Sequence, residues 1–147
     1  MRTLAIDPGA RRVGLALSDA AGRLATPYEV LHVSSPQQAI SQILEVIERE
    51  GVERIVLGVP INMDGSIGPA AEAAAALGRD LARRSGKSTV LVDERLSSFA
   101  AEQGLLDRRR AGEKITRKQK KSRLDALAAA TFLQAFLDGK LPEIKIP

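Results

Sequence analysis

Asp7, Glu94 and Asp125 are the residues of this chain whose chemistry and placement call for explanation. Asp7 stands in LAIDPGARRVGLALSD, Glu94 in TVLVDERLSS and Asp125 in KKSRLDALAAATFLQ. Each lies where an apolar strand pattern ends or a helical pattern begins, the kind of edge at which α/β folds gather functional groups. Brought together they would form an all-oxygen ligand set, suited to Mg²⁺ or Mn²⁺ rather than to zinc.

Each acid also has a purely structural explanation. Asp7 precedes Pro8-Gly9 and could accept hydrogen bonds from that turn. Asp93 and Glu94 are adjacent, and neighbouring strand residues face opposite ways, so one of them points into any given site. Glu94 is favoured for its reach just past Val90-Leu91-Val92, with Asp93 pairing to Arg95 or to backbone, but spacing alone leaves the choice open. Asp125, in the expected first turn of a last helix, could serve the helix dipole, although it sits on an otherwise alanine- and leucine-rich face. Asn62 could bind phosphate or sugar, or simply shape the loop PINMDG. Ser97 and Ser98 read as helix caps. With His32 as the one histidine, itself within a strand pattern and read as structural, and with no cysteine, Ser-His or Cys-His catalysis has little support.

The charge is unevenly spread. Residues 108–123, RRRAGEKITRKQKKSR, hold nine Lys or Arg and one acid, a net +8, whereas the rest holds 13 basic and 17 acidic residues, a net −4. A mildly acidic body with one basic block is the footprint of a polyanion partner, set against the alternative of a solvated loop that aids solubility. Aromatic residues make up only 3% of the chain, so recognition should rest on phosphates and shape rather than on stacked bases.

The elements that must position these residues follow from periodicity. Strands are predicted over 2–6, 13–17 and 28–33 as a meander, the first two joined at Pro8-Gly9. Ser35-Pro36 with Gln38 reads as a cap, an N1 proline and a capping-box partner, opening a helix with Ile40, Ile43, Leu44 and Ile47 on one face and closed by Gly51. A buried strand is predicted over 54–59, a loop over 60–69, an alanine-rich helix over 69–85 ending at Gly86, and a further strand over 88–93. A helix from Ser97 or Ser98 through Leu106 comes next, then the basic block, a final helix marked by Leu124, Leu127, Ala128, Thr131 and Phe132, and a short loose tail over 141–147. The order β-β-β-α-β-α-β-α-α implies an antiparallel meander extended by parallel strands and flanked by helices.

At 147 residues, with 44% hydrophobic and 27% charged residues, the chain reads as one globular domain over 1–147 with a basic mobile segment at about 107–121. No apolar run spans a bilayer, nothing near Met1 resembles a signal peptide, and the lack of cysteine fits a reducing compartment, so the expected location is the cytoplasm.

AIDPGARRVGLALSD, GVPINMDG, DERLSS and KKSRLDALAAATFLQAFL together resemble the YqgF family, also called RuvX or Holliday-junction-resolvase-like proteins, in the right order over nearly the whole chain. The resemblance implies a ribonuclease H-like α/β fold and nuclease processing of the 5′ end of precursor 16S ribosomal RNA. It maps the acidic site onto Asp7, Glu94 and Asp125 and places Arg11 where the family often has lysine. The resulting expectation is a Mg²⁺- or Mn²⁺-dependent phosphodiesterase. Its phosphate contacts would be Arg11, Arg12, Arg108, Arg109, Arg110, Lys114, Arg117, Lys118, Lys120, Lys121 and Arg123. Its partner would be nucleic acid, RNA favoured and DNA also open, and two related sites on a homodimer would suit a junction substrate. The competing readings are a junction or single-stranded DNA nuclease and a nonenzymatic RNA-binding assembly factor. An actin-like phosphotransferase is a weaker third, the chain being short for a two-lobed nucleotide clamp.

Overall fold

A computed structural model describes residues 1–95 and 117–146, with side chains in the second stretch described from residue 125 onward. Five strands, β1 (Thr3–Asp7), β2 (Arg12–Ser18), β3 (Ala25–His32), β4 (Arg54–Val59) and β5 (Ser88–Asp93), form one sheet in the order β3-β2-β1-β4-β5. The β1/β2 and β2/β3 pairs are antiparallel and the β1/β4 and β4/β5 pairs parallel, the mixed sheet expected from the element order. The helices are α1 (Pro36–Glu50), α2 (Pro69–Ser85) and α3 (Arg117–Leu137). None of them is long and apolar enough to cross a membrane, among the described residues.

The two faces of the sheet are unlike because alternate strand residues point opposite ways. Leu4 and Ile6 of β1, Val13, Leu15 and Leu17 of β2, and Ile55, Leu57 and Val59 of β4 form a bulky layer with Ile40, Ile43 and Val46 of α1 and Leu81 of α2. Leu4, Ile6, Leu15, Ile43, Ile55, Leu57 and Leu81 are fully buried, and each contributes about 1.5–3 kcal/mol relative to exposure. The other face shows small residues, Ala5, Ala16 and Val56, to Ala129, Phe132 and Leu133 of α3. Small residues here let α3 lie close to the strands. At Gly14 an added Cβ would collide with the carbonyl of Asp125, so the helix backbone rests directly on β2.

Local signals explain the first helix. The Ser35 hydroxyl accepts from Gln38 N at 3.1 Å, Pro36 opens the helix, and Gly51 closes it with φ 64°. The Gln38 side chain reaches back one residue further than a capping box requires, accepting from Ser34 N at 2.6 Å.

Several expectations are corrected. β3 begins at Ala25 instead of 28 and includes Pro27, which is tolerated because β3 is an edge strand with a register irregularity at Leu15/Ala16. His32 ends that strand, in keeping with its strand pattern, and is exposed. The last helix begins at Arg117, so the latter part of the basic block is helical and not a loop; arginine, lysine and glutamine are good helix formers. Asp125 therefore lies two turns inside α3, out of reach of the dipole explanation. The tail is not loose. Ile144 N donates to Leu91 O at 2.8 Å, and Ile144 and Ile146 pack against the bulky core. The predicted helix from Ser97 or Ser98 through Leu106, and Arg108, Arg109, Arg110 and Lys114, lie outside the described residues.

Candidate active site

Strand parity brings the acids together. Asp7 ends β1 on the same face as Ala5, the face covered by α3. In β5, Val90 and Val92 belong to that same layer, while Leu91 packs with the opposite one. Continuing the alternation by two residues sends Glu94 towards α3 and Asp93 away from it. Asp93 instead makes a fork with Arg95, whose Nη2 lies 2.6 Å from Oδ2 and whose backbone N donates to Oδ1 at 3.0 Å. Burial opposes the charge on Asp93, but the hydrogen bonds and charge of Arg95 outweigh it and hold the carboxyl below its ordinary range. The parity of Val90 and Val92 is the sequence signal that separates Glu94 from Asp93.

Glu94 is anchored by its backbone N, which donates to Val59 O at 3.3 Å. Its side chain passes over Gly58, where an added Cβ would stand 2.7 Å from Glu94 Oε2 and 2.9 Å from Phe132 Cε2. Gly58 thus makes room for both the acid and the buried ring that walls the site.

The three carboxyls sense one another. Asp7 is pushed up to about 10, first by burial, then by a hydrogen bond shared with Glu94, then by the charges of Glu94 and Asp125. Glu94 is also raised by burial and by the charges of Asp93 and Asp125, against the lowering effect of its hydrogen bond with Asp7. Within the pair, burial and the neighbouring charges favour a proton on Asp7. Asp125 faces the guanidinium of Arg12, Nε to Oδ2 3.2 Å, with the two side chains 35% and 26% exposed. Arg12, expected as a phosphate contact, thus lies against the acidic cluster and is paired with one of its members.

Three hard oxygen donors whose negative charges repel one another form a donor set suited to a divalent cation. As the side chains stand, no group of three Asp, Glu, His or Cys among the described residues is poised around an ion. Asp7 and Glu94 are engaged with each other, and Asp125 with Arg12.

Around the cluster, Arg11 is exposed, and its carbonyl accepts from Val33 N at 2.9 Å. Arg117, Lys118, Lys120, Lys121 and Arg123 occupy the turns of α3 that precede Asp125. The loop after β4 leaves the same end of the sheet as Asp7 and Glu94. Asn62 shapes it, donating from N to Ser66 O at 3.1 Å and from Nδ2 to Ser66 Oγ at 3.0 Å, which assigns this side chain to the turn. The loop tip carries Met63, 93% exposed.

Comparison with known proteins follows the same lines. A family model described as RuvX, Holliday junction resolvase, matches residues 1–139. A protein of Acidiphilium cryptum named "Putative pre-16S rRNA nuclease" is 40% identical over 137 residues, covering 93% of this chain and 84% of that one. Proteins of the same name from Chloroflexus aurantiacus and Anaeromyxobacter are 38% and 39% identical, over 93% and 95% of this chain and 86% and 98% of their own. The RuvC of Thermus thermophilus in complex with Holliday junction substrate aligns with a TM-score of 0.62 at 20% identity, over 98% of this chain and 99% of that one. That likeness, together with the sheet order, gives a ribonuclease H-like fold.

Proposed function

The chain belongs to the RuvX family of Holliday junction resolvases, and on that basis we propose that it is a divalent-metal-dependent nuclease. It hydrolyses phosphodiester bonds in processing the 5′ end of precursor 16S ribosomal RNA, an activity of the cytoplasm. The observation that carries the reading is the meeting of Asp7, Glu94 and Asp125 where α3 crosses the sheet, with Asp7 buried and hydrogen-bonded to Glu94.

Asp7, Glu94 and Asp125 would hold Mg²⁺ or Mn²⁺, whose chemistry there is to activate water and to stabilise the leaving oxygen. The chain's own part is arrangement. β1 and β5 fix the direction of the Asp7 and Glu94 carboxyls that would hold the cation, and Phe132 closes the apolar wall behind them. Gly14 and Gly58 keep α3 and its Asp125 at working distance. The basic residues from Arg117 to Arg123 lie along about 12 Å of helix leading to Asp125, a track along which a phosphodiester backbone would be drawn to the acids. Arg11, with Arg108, Arg109, Arg110 and Lys114, would add phosphate contacts whose strength falls steeply with salt.

Cleavage of end-labelled precursor 16S RNA, single-stranded DNA and a four-way junction in Mg²⁺ and in Mn²⁺ tests this. RNA cleavage should exceed cleavage of either DNA. Asp7→Asn, Glu94→Gln and Asp125→Asn should each lower the rate by about a hundredfold or more, since even groups one step removed from a metal change affinity or activity 10- to 100-fold. Preferred, paired cleavage of the junction by a dimer would move the substrate assignment to DNA, a reading favoured by the family's description. Nucleic-acid binding without cleavage in either metal would leave an assembly factor.

A further inference from the structure

Arg12 meets Asp125 in a way that a simple phosphate contact would not require. We propose that Arg12 is a latch. It holds Asp125 while no cation is bound, releases it when a divalent cation enters, and then engages a substrate phosphate, so that cation and nucleic acid bind cooperatively. The inference rests on the nuclease reading above and adds an order of events to it.

Both ends of the pair are fixed by rigid elements. Arg12 lies on the α3 face of β2, opposite His32 in the ladder, and the Val33 N bond to Arg11 O extends that pairing past the strand end. Asp125 is fixed because the α3 backbone at that residue rests on Gly14. What can move is the long side chain of Arg12, and at 35% exposure it has solvent to move into. A guanidinium does not lose its charge at any working pH, so it cannot be neutralised in place when a second positive charge arrives. A dication drawing on Asp125 would stand close to that guanidinium and repel it. The nearest suitable new partner is the anion that the site exists to bind, since the planar fork of arginine matches phosphate oxygens. Because coupling is reciprocal, whatever the cation gains from removal of the latch, the nucleic acid gains from the cation.

The alternative role is that of a fixed orienter, in which Arg12 stays on Asp125 and helps it to coordinate. The two roles differ in the sign of one measurement, the affinity of the free protein for Mn²⁺ by isothermal titration. As a latch, Arg12 competes with the metal. Arg12→Gln should then bind Mn²⁺ about two- to fivefold more tightly, the equilibrium factor associated with a partly exposed ion pair. Arg12→Lys should fall between it and wild type, and carries the test if the glutamine variant does not fold. Arg11→Gln removes the same charge without touching Asp125 and should shift the affinity less than about twofold. The second readout is anisotropy of a labelled single-stranded RNA in EDTA and in Ca²⁺. Ca²⁺ should tighten binding by wild type and by Arg11→Gln, and this gain should vanish in Arg12→Gln. Unchanged or weaker Mn²⁺ binding by Arg12→Gln, or a Ca²⁺ gain that survives the substitution, overturns the latch. Wild-type protein that binds no Mn²⁺ overturns the metal-dependent reading itself.

Discussion

Asp7 makes the cation-free protein sensitive to pH in an unusual direction. Its carboxyl titrates near 3.8 when unfolded and is pushed up to about 10 when folded, so between those values the folded chain retains a proton that the unfolded chain has lost. Stability from this group therefore falls as pH rises through that window. In EDTA, Asp7→Asn should melt at about the same temperature as wild type near pH 4 and about 5 °C or more above it at pH 8. Saturating Mg²⁺ should raise the wild type and narrow that gap. A gap that does not grow with pH would mean that Asp7 is not held protonated. The neighbouring acids provide a second residue-scale comparison. Asp93 is committed to Arg95 and faces away from α3, so Asp93→Asn should keep cleavage within about twofold, whereas Glu94→Gln should lose about a hundredfold or more. Sequence spacing left these two acids open because adjacency says nothing about which face is which. Once Val90 and Val92 are known to lie on the α3 side, the alternation of the strand assigns Glu94.

At the scale of elements, the docking of α3 is the feature on which the site depends. Gly14→Ala forces a methyl against the Asp125 backbone and should destabilise the fold by about 1–3 kcal/mol in urea titration while displacing Asp125. Gly58→Ala should be comparably destabilising and should also slow cleavage, because its methyl meets both Glu94 and the Phe132 ring. Ser35→Ala is the contrasting case. It removes the α1 cap, should destabilise by about 1 kcal/mol, and should leave cleavage rates unchanged because α1 lies on the opposite side of the sheet. Much of this architecture was legible in the chain. Val13, Leu15 and Leu17 alternate as a half-buried strand must, and Ser35-Pro36 with Gly51 brackets α1 closely. The start of α3 was not legible, because its opening turns are made of Arg, Lys and Gln, which favour helix without any apolar stripe to reveal it. The Arg12–Asp125 pair was not legible for a related reason: the two residues lie far apart in the chain, and only the arrival of Asp125 from across the fold shows what Arg12 meets.

For the molecule as a whole, the described sheet ends in the strands β3 and β5, and the chain's own tail pairs with part of β5. Ile144 pairs with Leu91 on β5, an edge strand, and Ile144 and Ile146 cover part of the core. Deleting residues 141–147 should destabilise by about 2–4 kcal/mol and promote concentration-dependent association through the bared edge, measurable by urea titration and light scattering. Unchanged stability would mean that the tail contact contributes nothing in solution. The cluster itself has a consequence in time. Asp7 is made early in synthesis, Glu94 much later and Asp125 later still, and Asp125 joins the other two only when α3 settles on β2. Because α3 is the last helix to be made, the proposed cluster stays incomplete while the strands that carry Asp7 and Glu94 are already synthesised. If the proposed site is the cutting site, a ribosome making this chain is shielded from it until the last helix has emerged.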